Sequence, residues 1–125
     1  MKFEAILFDC YGVLVDSEPI TNGVLRDMLA EAGWVLTPEE CMRLFIGKMV
    51  RSEAARIEHH TGRPLTDEWM SAFYARRNAA LEAQLTAIEH IHGAVERVHA
   101  HHGGRIACAS GADRFKVEML SLIHI

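Results

Sequence analysis

Two polar side chains that could carry out chemistry each follow a short apolar run and have a glycine close behind. Asp9 directly follows residues 5–8, and Ser110 directly follows residues 106–109, with Gly111 next. A carboxylate in such a position can attack phosphorus or carbon and form an acyl-type intermediate that water later cleaves. The hydroxyl of Ser110 and the amides around Gly111 could hold the anionic oxygens of the group under attack. These residue types therefore predict a hydrolase with a covalent intermediate.

The elements that must position Asp9 and Ser110 are two short strands. Both apolar runs are typical of strands buried on both faces inside a parallel sheet. In an open α/β sheet, ligands bind beyond the carboxyl ends of the strands, because loops and helix N-termini converge there. If the two strands are neighbours, the carboxylate and the hydroxyl face one crevice.

Helical patterns fill the interval between the strands. The first predicted helix carries Leu25, Met28, Leu29 and Ala32 at i, i+3, i+4 and i+7 and ends at Gly33. The second begins with a capping box that runs from Thr37 to Glu40, with proline at the first helical position. Further helices are predicted over residues 50–60, 66–88, 94–102 and 112–120. This order is that of an open α/β sheet interrupted once, just after its first strand.

Composition limits the classes of function. The chain has 125 residues, half of them hydrophobic and 24% charged, which indicates one folded domain of modest size. A net charge of −4 provides no broad positive surface, so we expect no nucleic-acid partner. Three cysteines without a C-x-x-C unit, and the lack of a signal peptide or a bilayer-spanning run, favour a reduced cytoplasmic setting without a membrane partner.

Residues 8–18, FDCYGVLVDSE, resemble the first motif of the haloacid dehalogenase superfamily of hydrolases, especially its sugar-phosphate phosphatases and β-phosphoglucomutase relatives. Residues 106–111, IACASG, are similar to the second motif of that superfamily. The helical insertion matches the α-helical cap of the same subgroup in position and length. The resemblance implies a partial Rossmann-like α/β core over residues 1–15 and 89–125, with a helical cap over residues 16–88.

The resemblance also implies roles for individual residues. Asp9 is the expected nucleophile, and Mg²⁺ is expected on its carboxylate and on the backbone carbonyl of Tyr11. Ser110 and Gly111 would bind the phosphoryl oxygens. Lys48 lies where similar proteins place a cap loop that contacts the substrate. The expected substrate is a small phosphorylated metabolite such as a sugar phosphate.

Tyr11 departs from the phosphatase pattern, which has a second aspartate at this position as general acid and base. A phenol with an ordinary pKa of about 10 is a poor base at neutral pH, and lost acid–base catalysis costs roughly 10²–10⁴-fold in rate. The L-2-haloacid dehalogenases carry Asp-x-Tyr-Gly, attack carbon and need no metal. A metal-independent dehalogenase therefore stays open as an alternative, as does a catalytically silent domain that binds a phosphorylated ligand.

The length of the chain is a second departure. The superfamily also uses a lysine on a later helix and acidic residues after a fourth strand, and neither occurs here, so roughly half of a complete core is expected to be missing. Residues 120–125, LSLIHI, do not continue the amphipathic helix and resemble translated transposon-end sequence. We therefore expect a fragment whose reading frame ends in foreign codons.

Overall fold

A computed structural model of the chain describes residues 3–10, 13–111, 114 and 118. The chain splits into two compact units. One, the sheet unit, comprises Met1–Ser17 and Leu85–Ile125, and the other, the helical unit, is Glu18–Gln84. The interpretation of these units as catalytic core and cap stays a prediction.

The described elements comprise two strands with a run of helices between them. In chain order they are β1 (Ile6–Phe8), α1 (Glu18–Glu31), α2 (Pro38–Phe45), a 3₁₀ turn (Val50–Glu53), α3 (Ala54–Thr61), α4 (Asp67–Gln84), α5 (Ile91–His101) and β2 (Ile106–Cys108). The two strands pair in parallel, with Ile6 opposite Ile106 and Phe8 opposite Cys108. The predicted fold class, a parallel-sheet α/β core interrupted by helices, is confirmed.

The strands are less buried than their apolar sequences predict. Leu7 is 72% exposed, while Ile6 and Phe8 are only half-buried. In the described residues the sheet has two strands, so each strand has one neighbour, and the face that carries Leu7 is not covered. The prediction that both strands are buried on both faces is therefore wrong for this chain.

Helix α4 is shorter than predicted. The sequence pattern extends it to Ile88, but it ends at Gln84. The residues that follow pair with the segment after β1: Val15 bridges Ala87 in antiparallel sense, and the Ile88 N–H donates to the Leu14 carbonyl at 3.0 Å. Backbone pairing with a segment that lies far away in sequence ends the helix earlier than its own side chains indicate.

The start of α5 also differs from the prediction. The sequence places it at residue 94, whereas the helix begins at Ile91, directly after His90 in a left-handed conformation with φ 65°. A non-glycine residue at positive φ is uncommon, although histidine tolerates it better than most.

The core of the helical unit is formed by apolar side chains from all its helices. Leu29 is fully buried, and Met28 and Leu25, predicted to lie on the same face of α1, are 4% and 2% exposed. The buried cluster comprises Leu25, Met28, Leu29, Trp34, Cys41, Phe45, Ile57, Met70 and Phe73. No helix in the described part of the chain is long and apolar enough to cross a bilayer.

The capping box at the start of α2 is confirmed. The Glu40 N–H donates to Thr37 Oγ1 at 3.1 Å, and the Thr37 N–H donates to Glu40 Oε2 at 2.8 Å. The backbone hydrogen bond from Thr37, followed by its side-chain bond, lowers the pKa of the Glu40 carboxyl. This arrangement satisfies two N–H groups that have no partner inside the helix.

Candidate active site

Asp9 stands at the carboxyl end of β1 with its side chain exposed. The Cys10 N–H donates to Asp9 Oδ1 at 2.8 Å, which fixes the orientation of the carboxylate. Within the described residues no donor is recorded for the second oxygen, Oδ2. Cys10 itself is 5% exposed and anchors the backbone directly behind the carboxylate. One carboxylate oxygen of this exposed side chain is thus held in place, and we call the other, Oδ2, the outward oxygen.

Ser110 and Gly111 lie at the same end of the sheet as Asp9. The strands are parallel, and the Ala109 N–H donates to the Phe8 carbonyl at 2.8 Å, so the pairing continues to the point where both chains leave the sheet. Ser110 is half-buried and Gly111 is exposed, with no neighbouring atom within 4 Å of where a Cβ would stand. The structure therefore brings a carboxylate, a hydroxyl and an open backbone segment to one edge.

Several residues singled out in the sequence lie outside the described residues. Tyr11, assigned as a metal ligand and as the substitute for the acid–base aspartate, is one of them. The predicted helix over 112–120 and the segment 120–125 also fall there, apart from Arg114 and Glu118. Those two form an ion pair, with Nε and Oε1 2.7 Å apart at the i,i+4 spacing of a helix.

At the described strand ends, the carboxylate of Asp9 is the side chain that could bind a metal ion. Among residues 3–10, 13–111, 114 and 118, no group of three His, Cys, Asp or Glu side chains could hold a metal. Mg²⁺ does not need such a group, because it commonly binds one or two carboxylates, substrate phosphate and several waters. The outward oxygen of Asp9 is a hard ligand of the kind that Mg²⁺ prefers, so the donor chemistry at the strand ends fits this ion.

Lys48 lies in the helical unit, in the turn that follows α2. Its side chain is 43% exposed and its Nζ lies 3.7 Å from Glu53 Oε1. It lines a groove of about 210 Å³, which we call the basic groove. The residues around this groove come from three segments of the chain: Thr21, Lys48, Met49, Val50, Arg51, Phe73, Tyr74 and Arg77. None of these eight residues is acidic.

Two arginines in the basic groove were missed by the sequence analysis. The Arg77 guanidinium lies over the Tyr74 ring, 4.8 Å from its centroid, and donates to Asn78 Oδ1 from Nε at 3.2 Å and from Nη2 at 2.9 Å. Arg77 is half-buried and has no carboxylate partner in the described part of the chain. The signal available in the sequence was Tyr74 three residues before Arg77, a spacing that places both on one helix face.

Arg51 is the second of these arginines. Its Nη2 donates to Asp67 Oδ1 at 2.8 Å. This hydrogen bond raises the pKa of Arg51, and Tyr74 raises it further. The carboxylates of Glu53 and Asp67 therefore balance part of the charge around the groove, and Arg77 keeps an uncompensated positive charge in a partly desolvated place. A partly buried cation of this kind favours an anionic ligand.

Comparison with known proteins gives a consistent result. The model of haloacid dehalogenase-like hydrolases matches residues 3–123. The 6-phosphogluconate phosphatase of Escherichia coli (strain K12) is 46% identical over 46 residues, which make up 37% of this chain and 21% of that protein.

Two solved structures are similar over almost the whole chain. A haloacid dehalogenase-like protein from Agrobacterium tumefaciens str. C58 has a TM-score of 0.81 at 27% identity, covering 96% of this chain and 52% of its own. A HAD family hydrolase from Deinococcus radiodurans R1, with bound phosphate and sodium, has a TM-score of 0.75 at 29% identity, covering 98% of this chain and 52% of its own. The chain thus spans about half the length of these structures.

Proposed function

The chain belongs to the haloacid dehalogenase-like hydrolase family, and on that premise we propose that it provides the nucleophile of a phosphatase acting on a small phosphorylated metabolite such as a sugar phosphate. The observation that carries the proposal is the exposed carboxylate of Asp9, held by the Cys10 N–H at the strand end where Ser110 also emerges. Similarity to a 6-phosphogluconate phosphatase over 46 residues supports the substrate class.

The proposed reaction has two displacements at phosphorus. The outward oxygen of Asp9 attacks the phosphorus atom, a bond forms to give an acyl phosphate, and the bond to the alkoxide oxygen breaks. The leaving oxygen takes a proton from solvent water and departs as an alcohol. Water then attacks the acyl phosphate, which releases inorganic phosphate and restores the Asp9 carboxylate. Ser110 donates its hydroxyl hydrogen to a phosphoryl oxygen and holds the group in line.

We assign Mg²⁺ to the Asp9 carboxylate and the backbone carbonyl of Tyr11. When bound, the ion would offset the repulsion between carboxylate and phosphate. Tyr11 stands where a phosphatase of this pattern has an aspartate, so proton transfer to the leaving oxygen is expected to be slow. In a chain extended to full length, Tyr11→Asp should then raise phosphate release, and an unchanged rate in a folded, magnesium-binding variant would count against phosphoryl transfer.

Within the helical unit, the basic groove is our candidate site for binding an anionic group of a ligand. Lys48 is joined there by Arg51 and by the uncompensated Arg77. A carboxylate or second phosphate matches this charge and the forked geometry of arginine. We therefore favour phosphorylated metabolites with a second anionic group, such as phosphorylated sugar acids, over neutral sugar monophosphates.

The test is a phosphate-release screen with sugar phosphates and phosphorylated sugar acids, with and without Mg²⁺. Magnesium-dependent release that disappears in Asp9→Asn and falls in Ser110→Ala supports the proposal. Cys108→Ser is a matched control, because Cys108 lies on the same strand as the residues before Ser110 and has no assigned role. Release that is unchanged in Asp9→Asn would contradict the assignment of the nucleophile.

The Asp-x-Tyr arrangement at Asp9 and Tyr11 favours a second candidate function, a metal-independent L-2-haloacid dehalogenase. Here Asp9 would attack carbon, the carbon–halogen bond would break, and water would cleave the resulting ester. Chloride release from 2-chloropropionate without added metal would favour this candidate. Binding of a phosphorylated ligand with release of neither phosphate nor chloride would favour the silent binding domain.

A further inference from the structure

A second groove lies within the helical unit and is separate from the basic groove. It has a volume of about 550 Å³, inside the range of roughly 300–1,000 Å³ that small-molecule sites occupy. The C-terminal end of α1, helix α3, the loop that follows α3 and the first half of α4 form its walls. We call it the α1–α3–α4 groove.

The floor of this groove is apolar. Met28 and Ile57 are 4% and 3% exposed, and both belong to the core cluster of the helical unit. Leu65 and Trp69 are half-buried and pack against that cluster, and the Trp69 ring stacks on Phe73 with centroids 6.0 Å apart. A flat apolar or aromatic body would therefore find a matching surface.

The wall formed by the α3–α4 loop is held by its own hydrogen bonds. The Thr61 hydroxyl donates to the Ile57 carbonyl at 2.8 Å, and the Arg63 N–H donates to Thr61 Oγ1 at 3.3 Å. Gly62 adopts a left-handed φ of 70°, and Thr66 Oγ1 accepts from the Trp69 N–H at 3.1 Å. A wall that is ordered before binding lowers the entropic cost of binding a ligand.

The charges at the rim are not balanced. Arg76 and Glu31 form a forked ion pair, at 2.8 Å and 3.0 Å, so their charges compensate each other. This pairing lowers the pKa of Glu31 and raises that of Arg76. Arg63 has no carboxylate partner in the part of the chain that the structure describes. The rim therefore has one excess positive charge above an apolar floor.

From these observations we propose that the α1–α3–α4 groove binds a small organic anion with an apolar or aromatic body, whose acidic group pairs with Arg63. Nothing in this proposal depends on Asp9 or on phosphoryl transfer. The charge complementarity at Arg63 distinguishes this ligand from a neutral apolar compound, and the Glu31–Arg76 pair leaves only one cation to recognise the acidic group.

The experiment is a fluorescence titration of the full chain with anilinonaphthalene sulfonate, and in parallel with N-phenylnaphthylamine, which lacks the sulfonate. Trp69 in the groove serves as an energy donor to either dye. Arg63→Glu should weaken sulfonate binding by about tenfold or more, equivalent to at least about 1.4 kcal/mol, and leave the neutral dye unaffected. Arg43→Glu, an exposed charge reversal on α2 outside the groove, is the matched control.

A second variant tests the location of the site. Ala72 is exposed and lines the groove, so Ala72→Phe should fill it and abolish binding of both dyes without disturbing the core. Ala107→Phe, on strand β2 of the sheet unit and outside this groove, should leave this binding unchanged. Equal loss of sulfonate binding in Arg63→Glu and Arg43→Glu, or retained binding in Ala72→Phe, would overturn the proposal. Circular dichroism checks the fold of each variant.

Discussion

Replacing Leu29 with alanine should strongly destabilise the helical unit. Leu29 is fully buried at the centre of the core cluster. The change removes three carbon atoms, which at about 0.8 kcal/mol for each buried methylene gives about 2.4 kcal/mol. The cavity that remains raises the expected cost to about 3–4 kcal/mol. Small domains are stable by only about 0.05–0.15 kcal/mol per residue, or about 3–10 kcal/mol for a unit of this size, so this loss removes at least about a third of the stability of the unit.

The sequence provides a selective reporter for this measurement. Both tryptophans, Trp34 and Trp69, lie in the helical unit, and Trp34 is 9% exposed and stacks on His60 at 4.1 Å. Urea titration followed by tryptophan fluorescence therefore reports unfolding of this unit. Val35→Ala is the matched control, because Val35 is 78% exposed in the same unit and its truncation should change the free energy of unfolding by less than about 0.5 kcal/mol.

The reasoning would be refuted by either of two results. One is a Leu29→Ala chain that unfolds cooperatively and loses less than about 1 kcal/mol in the free energy of unfolding, because truncating a fully buried leucine costs about 2–5 kcal/mol. The other is a Val35→Ala chain that loses as much stability as Leu29→Ala, which would mean that the assignment of buried and exposed faces is wrong.

Four further predictions concern the cap of α2, the Glu40 carboxyl, Arg77 and the thiols. Thr37→Ala should cost about 1 kcal/mol in urea titration, since it removes the N-cap of α2. The folded-state pKa of Glu40 lies below its ordinary value of 4.5. The stabilisation that the Glu40 carboxylate provides is therefore complete above pH 4.5 and is lost as the pH falls through the folded-state pKa. Glu40→Gln should remove this part of the pH dependence of the free energy of unfolding, measured by urea titration. In an equilibrium binding titration with a phosphorylated sugar acid, Arg77→Ala should weaken binding about tenfold or more, whereas Arg77→Lys should recover part of the loss. Maleimide should label exposed Cys108 quickly and Cys41 only on unfolding, because burial keeps Cys41 inaccessible and raises the pKa of its thiol.

Local patterns were sufficient to predict most of the elements. Three patterns predicted their elements correctly: the run before Asp9, the capping box from Thr37 to Glu40 and the apolar spacing in α1. In each, the residues that favour the element lie within a few positions of one another in the sequence. The family, suggested by the motifs around Asp9 and Ser110, is confirmed by the match of the family model to residues 3–123.

The errors arose where distant segments decide the outcome. Helix α4 stops at Gln84 because the next residues pair with residues 14–16. The sequence pattern within α4 cannot predict this pairing with a distant segment. The exposure of Leu7 depends on what covers the sheet, which an apolar run cannot indicate. Nothing in the sequence indicated a binding role for Arg77, because the basic groove is assembled from three segments and only the folded chain brings Arg77 near Lys48 and Arg51.

The central claim is that Asp9 forms a covalent bond to the substrate, and chemical trapping tests it most directly. The chain is mixed with a phosphorylated sugar acid and Mg²⁺, quenched in acid, digested and analysed by mass spectrometry. We expect a phosphate adduct on the peptide that contains Asp9, sensitive to hydroxylamine as an acyl phosphate should be, and absent from Asp9→Asn. An adduct on another residue, or phosphate release that continues in Asp9→Asn, would contradict the account.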